Sequence, residues 1–309
     1  MIARISSVVI AMGTAEYTCL PAFSAARTSG PCVQRWVKIA TASTAADSSM
    51  AAYDGKVPAR PCAAASRSAR SGSRSVTWGV GGRVRERAVV AESAFLGWRD
   101  VPFAALLQER TGLPVVVEND VAALVEAETW FGAGRGLDRF AVLTIGAGLG
   151  YGLVLGGTRV PFEEEDRGFG RYWILDPSGP LTPDGARGSA VSLLTVPGTG
   201  TDARYEDILA GAGAGEPMAS RVIGEAARAL GTLVAQIANF AMPQKILLAG
   251  EGVGLMDVAG NTVRETVRAH RHPLAAPVDL ETRVSDFHDW ARGAAVLAIQ
   301  VLVLGGREK

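Results

Sequence analysis

Two polar residues stand where the chain changes from a strand to a helix. Asn119 and Asp120 follow the apolar run 115–117 and precede a stretch with helical spacing that extends to Phe131. A carboxylate at the end of a strand can act as a general base toward a substrate hydroxyl. Asn and Asp are also favoured as helix N-caps, which stabilise a helix by about 1 kcal/mol. The local sequence favours the N-cap for Asp120, and the position permits both roles.

Two glycine clusters follow predicted strands and could bind an anion. Their members are Gly146, Gly148 and Gly150 at a hairpin tip, and Gly250, Gly252 and Gly254 between a strand and a helix. Glycines let backbone N–H groups approach a phosphate without a Cβ in the way. Close packing of a twisted hairpin, or a plain strand-to-helix turn, explains the same glycines. For the hairpin, the packing interpretation is somewhat favoured.

The elements that must position these residues alternate regularly from residue 96 onward. Apolar periodicity and Gly/Pro boundaries predict strands at 114–118, 140–145, 151–155, 245–249 and 278–283. The same signals predict helices at 103–110, 120–131, 217–242, 255–270 and 290–304. Alternating strands and helices predict an α/β fold with a largely parallel sheet covered on both faces.

Composition excludes several classes of protein. The 309 residues carry 31 Lys+Arg and 31 Asp+Glu, so the whole chain lacks the polycationic field that drives strong nucleic-acid binding. Its longest apolar stretch near the C-terminus, residues 294–304, is too short to cross a bilayer, which takes about 20 residues. We therefore expect no membrane association and a cytoplasmic location.

Residues 1–75 differ in composition from the rest of the chain. This leader holds 9 Lys+Arg against 3 Asp+Glu, a single leucine and all three cysteines. It lacks the apolar stripe of a packed helix, and the cysteine spacing matches no zinc quartet. The composition predicts a low-complexity, disordered leader, and its abrupt end suggests a truncated or frame-altered remnant.

The motifs, taken together and in order, resemble the ROK family of sugar kinases and sugar-responsive repressors. The resemblance covers roughly residues 89–304 and rests on LPVVVENDV (113–121), FGAGRG (131–136), TIGAGLGYGL (144–153), LDPSGPL (175–181), AGEGVGL (249–255) and WARGAAV (290–296). The stretch 93–102 is similar to the transcriptional-regulator branch. The resemblance implies an actin-like ATPase (ribonuclease H-like) fold with two lobes around a cleft. Residues 76–118 would form an incomplete first lobe completed by 290–304, and residues 119–289 the large lobe.

The resemblance also implies roles for the candidate residues. Asn119 would hydrogen-bond the sugar, and Asp120 would bind it too and serve as the catalytic base in a kinase. The glycines at 146–150 would face nucleotide phosphates, and those at 250–254 would lie beside adenosine. ATP and Mg²⁺ would be cofactors only in a kinase.

Three departures from the family pattern bear on function. Kinase members begin with a D-x-G-x-T turn for phosphate and Mg²⁺, and the nearest stretch here, residues 9–14, has no Asp. The E-x-G-H motif falls on FGRY at 169–172. Thr182, Ala186 and Ser189 stand where metal-binding relatives carry Cys or His, which a structural zinc site requires. We therefore predict no metal site, no zinc and a less rigid loop.

Three functions remain open. The first is the sugar-sensing and dimerising part of a transcriptional regulator, which needs differential ligand binding but no chemistry. The alternatives are an ATP-dependent, glucokinase-like sugar kinase with Asp120 as base, and a degenerate inactive paralogue. The expected partners are a sugar or sugar phosphate and a second copy of the chain, with DNA bound only through a missing or unrecognised N-terminal domain.

Overall fold

The protein is described here by a computed structural model, which covers residues 8–12, 38–41, 76–94, 96–161, 169–182, 185–195, 204–283 and 287–303. The chain forms two compact units. Unit 1 comprises Met1–Ala127 and Phe287–Lys309, and unit 2 comprises Glu128–Asp286. The lobe boundaries expected from the sequence stay predictions.

Unit 1 is built on two small sheets. Its strands are β1 (Val8–Met12), β2 (Lys38–Thr41), β3 (Val76–Val80), β4 (Arg83–Arg85), β5 (Val89–Ser93), β6 (Trp98–Val101) and β7 (Val115–Asn119). The first sheet has the order β2-β1-β3-β7, and the second is the antiparallel set β4-β5-β6. Helix α1 (Phe103–Thr111) precedes β7, and α2 (Asp120–Phe131) follows it directly.

Two strands of unit 1 come from the leader. β1 pairs antiparallel with β3, with Val8 opposite Val80, and it pairs parallel with β2. The other residues of the segment 1–75, including the three cysteines, lie outside the described residues. The disordered character of the leader as a whole therefore stays a prediction.

The apolar core of unit 1 lies around β3. Val76, Trp78 and Val80 are at most 2% exposed, which explains why this strand holds the sheet together. The Trp78 ring meets Phe103 of α1 edge to face, with ring centroids 4.8 Å apart. This packing fixes α1 against the sheet and so sets where β7 begins.

Unit 2 contains a five-stranded sheet and the long helices. Its strands are β8 (Arg139–Ile145), β9 (Leu149–Leu155), β10 (Thr158–Arg159), β11 (Lys245–Ala249) and β12 (Asp279–Arg283). Its helices are α3 (Phe169–Tyr172), α4 (Ala190–Leu194), α5 (Tyr205–Gly213), α6 (Pro217–Phe240) and α7 (Leu255–Ala269). A 3₁₀ turn, Glu251–Gly254, joins β11 to α7. The chain then returns to unit 1 through α8 (Phe287–Ala298) and a π-helical turn, Ile299–Val303.

The sheets are mixed rather than largely parallel, and the antiparallel hairpin predicted around the glycine turn at 146–150 is formed by β8 and β9. The unit 2 order is β10-β9-β8-β11-β12, in which β11 runs parallel to β8 and β12 while β9 is antiparallel to both of its neighbours. The short turn between β8 and β9 allows only antiparallel pairing, because a parallel pair needs a long crossover.

Close helix packing explains two glycines outside the turns. A Cβ on Gly231 of α6 would lie 2.7 Å from the Val263 carbonyl oxygen of α7. A Cβ on Gly293 of α8 would lie 2.6 Å from the Ala123 carbonyl carbon of α2. The second contact brings α8 directly against the first turns of α2, which carry Asp120.

A buried ion pair joins the two ends of the unit 2 segment. Arg283 Nη1 lies 2.8 Å from Glu128 Oε1, and the Glu128 side chain is fully buried. The second carboxylate oxygen of Glu128 accepts the Ala133 N–H at 2.7 Å. The pair therefore holds the turn after α2 to the end of β12.

Within the described ranges, no helix is both long enough and apolar enough to cross a membrane.

Candidate functional site

The junction of β7 and α2 positions both predicted polar residues. Asn119 ends β7, opposite Val80 in the parallel register with β3, and α2 begins at Asp120. Asn119 Oδ1 accepts the Ala122 N–H at 3.0 Å, so Asn119 is the N-cap of α2. The interpretation of Asp120 as the N-cap is therefore wrong, because its carboxylate instead accepts the N–H of Val121, the next residue, at 2.8 Å.

The glycine-rich end of β3 completes this junction. Asn119 Nδ2 donates to the Gly82 carbonyl oxygen at 2.9 Å. A Cβ on Gly79 would lie 3.5 Å from the Asp120 Cα, in ordinary contact. Sequence reasoning gave these glycines no role, although the pattern Gly79-Val-Gly-Gly82 after an apolar run resembles the two clusters that it did select.

The carboxyl group of Asp120 has an unusual protonation equilibrium. Burial raises its pKa to about 6, although the hydrogen bond from the Val121 N–H opposes that rise. Among the described residues, no cation forms an ion pair with it. At pH 7 the group is mostly ionised, and its pKa is close enough to neutrality for it to accept a proton from a bound hydroxyl.

The two glycine clusters lie side by side in unit 2. Thr144 and Ala249 are register partners in the parallel pair β8 and β11, so the turns that follow them leave the same edge of the sheet. Gly250 has a φ of +98°, and a Cβ there would lie 2.4 Å from the Ile145 carbonyl oxygen. A Cβ on Gly252 would lie 2.6 Å from Ile145 Cγ2. Close packing between the turns therefore requires these two glycines, whatever ligand they bind.

A glutamate links the two turns. Glu251 Oε1 accepts the Ala147 N–H at the hairpin tip, 3.0 Å away. A Cβ on Gly146 would lie 3.0 Å from the same carboxylate oxygen. Glu251 lies inside the second glycine cluster, but sequence reasoning assigned it no role, because the contact joins residues 104 positions apart.

Tyr205 holds the second turn from its other side. Its hydroxyl donates to the Gly252 carbonyl oxygen at 2.7 Å. Burial raises the pKa of Tyr205 to about 12, so the hydroxyl remains a donor at neutral pH. The backbone around Glu251 is thus fixed by Ile145 on one side and by Tyr205 on the other.

Thr182, Ala186 and Ser189, where the family resemblance implies metal ligands, all take part in hydrogen bonds. Thr182 Oγ1 donates to the Ala186 carbonyl oxygen and accepts the Ala186 N–H, both at 2.9 Å. Ser189 caps α4 by accepting the Ser192 N–H at 3.2 Å. These side chains do not fit a zinc ion, which takes thiolate or imidazole ligands at structural sites. Within the described part of the chain, no three His, Cys, Asp or Glu residues cluster as a metal site.

The predicted site residues fall into two groups. Asn119 and Asp120 adjoin each other in unit 1. The glycine turns at 146–150 and 250–254 adjoin each other in unit 2. The sugar and nucleotide roles of these residues remain predictions.

Comparison with known proteins identifies relatives over most of the chain. Residues 62–160 and 187–301 match the ROK family. A glucokinase of Halalkalibacterium halodurans is 29% identical over 234 residues, which cover 68% of either chain. A glucokinase of Thermotoga maritima is 39% identical over 105 residues, 34% of this chain and 33% of its own. The bifunctional enzyme NanE/NanK of Brucella suis is 33% identical over 174 residues, 55% of this chain and 32% of its own. The present chain therefore spans about a third of the length of these last two relatives.

Two solved structures share the fold. One is a ROK family glucokinase from Streptomyces griseus in complex with glucose and AMPPNP, with a TM-score of 0.62, 25% identity and coverage of 72% of this chain and 80% of that one. The other is a ROK family transcriptional regulator, a homologue of the E. coli MLC protein, with the same TM-score and identity and coverage of 72% and 61%. These likenesses confirm the predicted α/β fold of the actin-like ATPase type, and this chain belongs to the ROK family.

Proposed function

We propose that this protein binds a sugar as the sensing part of a ROK-type transcriptional regulator and does not phosphorylate it. The observation that carries the proposal is the Asp120 carboxylate at the first position of α2, directly after β7, where burial raises its pKa to about 6. Asp120 is partly buried and forms no ion pair with a cation among the described residues, which makes its ionised form unfavourable for folding. It is well suited to accept hydrogen bonds from the hydroxyls of a neutral polyol.

Two observations favour sensing over phosphoryl transfer. The sequence contains no D-x-G-x-T turn at 9–14 or elsewhere, so the usual means of holding metal and phosphate is missing. Phosphoryl transfer depends almost entirely on positioning and on neutralising the developing charge. The hairpin that would face the phosphates is already contacted by the Glu251 carboxylate. The residues present therefore fit a sugar better than they fit ATP and Mg²⁺.

A sugar kinase is the second candidate, and a specific observation favours it. A pKa near 6 suits a general base at neutral pH, and the relative that covers two thirds of this chain is a glucokinase. In that case Asp120 would take the proton of the attacking sugar hydroxyl. A homodimer, and DNA contact through an N-terminal domain, accompany the regulator proposal as predictions of the family resemblance.

Binding and turnover measurements on the same samples separate the candidates. Calorimetry with a panel of hexoses and hexose phosphates should give saturable binding to the wild type, and Asp120→Ala should weaken it at least about tenfold, the equivalent of one lost hydrogen bond to a charged group. Incubation with ATP, Mg²⁺ and the same hexoses should release no more ADP than Asp120→Ala does. The exposed Asp138→Ala is the matched control and should bind like the wild type.

Each other outcome selects a different function. ADP release that disappears in Asp120→Ala would overturn the regulator proposal and establish the kinase. Absence of binding to every sugar, in a protein that unfolds cooperatively, would overturn both and leave the inactive paralogue.

A further inference from the structure

The carboxylate of Glu251 occupies a backbone donor that an external anion would need. Its Oε1 accepts the Ala147 N–H at 3.0 Å, at the tip of the β8–β9 hairpin. Gly146, just before that donor, leaves room for the glutamate, because a Cβ there would lie 3.0 Å from Oε1. The chain therefore places its own negative charge between the two glycine turns.

The surroundings of this charge would otherwise attract phosphate. The hairpin and the Glu251–Gly254 turn leave the same edge of the sheet, since β8 and β11 are parallel with Thr144 beside Ala249. Glycine turns at the carboxyl ends of such strands, followed by the N-terminus of a helix such as α7, commonly bind anions. The Glu251 carboxylate is an anion of the chain itself and takes the place of an external anion at the Ala147 N–H.

The backbone is held in place on both sides of Glu251. The backbone before it is wedged against Ile145, where a Cβ on Gly250 would lie 2.4 Å from the carbonyl oxygen. The backbone after it is tied by the hydrogen bond from the Tyr205 hydroxyl to the Gly252 carbonyl oxygen. Glu251 is also solvent exposed, so replacing it opens no cavity in the core.

We propose that Glu251 is a specificity-determining residue that excludes the phosphates of nucleoside triphosphates from the glycine turns of unit 2. A bound phosphate would have to displace the carboxylate from the Ala147 N–H and then remain close to the negative charge of Glu251. A neutral sugar carries no such charge and meets no such repulsion. The inference deepens the proposed function and rests on it, because it explains how a sugar-binding ROK protein avoids binding ATP.

Nucleotide binding to three variants tests the role of Glu251. Glu251→Ala removes the charge and frees the Ala147 N–H, whereas Glu251→Gln removes the charge and keeps an acceptor. Glu265→Gln, on the exposed face near the other end of α7, is the control for net charge. Titration with ATP should show affinity at least about tenfold higher for Glu251→Ala than for the wild type, an intermediate value for Glu251→Gln and no change for Glu265→Gln.

Parallel titrations identify which part of the nucleotide is affected. Adenosine, which has no phosphate, should bind all four proteins alike, and inorganic tripolyphosphate should follow ATP. Unchanged ATP affinity in folded Glu251→Ala and Glu251→Gln, or an equal gain for adenosine, would overturn the proposal. Hexose binding to the same samples tests the proposed function separately. A wild type that binds no hexose would refute sugar sensing without changing the nucleotide result.

Discussion

At the scale of single residues, Asp120 and Asn119 form different hydrogen bonds at the β7–α2 junction and so have different roles. Asn119 caps the helix through Ala122 and ties the junction to Gly82, so it performs the structural role. Asp120 does not cap the helix, and its carboxylate accepts the backbone N–H groups of Val121 and of Asp120 itself. Partly buried carboxylates with a shifted pKa are common at binding and catalytic sites.

The raised pKa of Asp120 implies a specific dependence of stability on pH. Its pKa is about 6 in the folded protein and about 3.9 in an unfolded chain, so between these values the folded state holds the extra proton. Stability therefore falls as pH rises from 4 to 6, by up to about 3 kcal/mol, and levels off above that range. Asp120→Asn should remove this loss, since Asn stays neutral and keeps an acceptor for the Val121 N–H.

Denaturant unfolding from pH 4 to pH 8 measures the difference. The gain in unfolding free energy of Asp120→Asn over the wild type should be near zero at pH 4 and reach its full value above pH 6.5. Asp138→Asn, at an exposed position, serves as the control and should give a flat difference. A gain that does not vary with pH would contradict the burial argument.

At the scale of elements, packing at two crossings sets where the candidate groups lie. Gly293 brings α8 against the backbone of α2, and Gly250 brings the β11 turn against the end of β8. Each glycine permits a backbone approach that any Cβ would block, so the positions of Asp120 and Glu251 depend on residues far away in sequence. The Thr182–Ala186 hydrogen bonds similarly connect the ends of a loop, at positions where the family resemblance implies metal ligands.

The Glu128–Arg283 pair should contribute strongly to the stability of unit 2. Arg283→Met keeps most of the side-chain volume but removes the Arg283 guanidinium from the fully buried Glu128 carboxylate. Loss of one partner from a buried pair typically costs about 3–5 kcal/mol. Urea unfolding should therefore show a large drop in stability for this variant.

An exposed ion pair provides the matched control. Arg221 pairs with Glu225 one helical turn away, and both side chains are largely exposed. Arg221→Met should lower the free energy of unfolding far less than Arg283→Met does, because solvent screens an exposed pair. Equal costs for the two variants would mean that the buried pair contributes no more than a surface one.

At the scale of the whole molecule, part of the fold follows from the sequence and part does not. Helix α2 and strand β11 have their predicted bounds, because an apolar period and glycine or polar boundaries mark both ends. Strand β4 was missed because two of its three residues are arginines, so it has no apolar pattern. Strands β1 and β2 were missed because the composition of the leader dominated the interpretation.

The site was predictable only where it is local. The sequence selects Asn119 and Asp120 as a pair, but their different hydrogen-bonding roles depend on the contact of Asn119 with Gly82, 37 residues away. The position of Glu251 depends on a hairpin 104 residues earlier. Propensity and spacing carry no information about such distant contacts.

The leader strands allow a test on the entire chain. Deleting residues 1–75 removes β1 and β2 and leaves the buried strand β3 with an unpaired edge. Exposed apolar edges promote association between chains. We expect the truncated protein to self-associate on size-exclusion chromatography and to unfold at a temperature lower by more than about 5 °C.

The control replaces only residues 63–75, a run of Ala, Ser, Arg and Gly, with a glycine-serine sequence of equal length. This variant should behave like the wild type. A truncated protein that stays monodisperse with an unchanged unfolding temperature would instead support a dispensable leader.

The double engagement of the Asn119 amide has a consequence for selectivity. The Asn119 Oδ1 already accepts the Ala122 N–H, and the Nδ2 already donates to the Gly82 carbonyl oxygen. A sugar that recruits Asn119 must therefore share it with these partners or release the Gly82 carbonyl to water. Discrimination between epimers would then depend on how easily the turn after β3 is hydrated, as well as on the shape of the sugar.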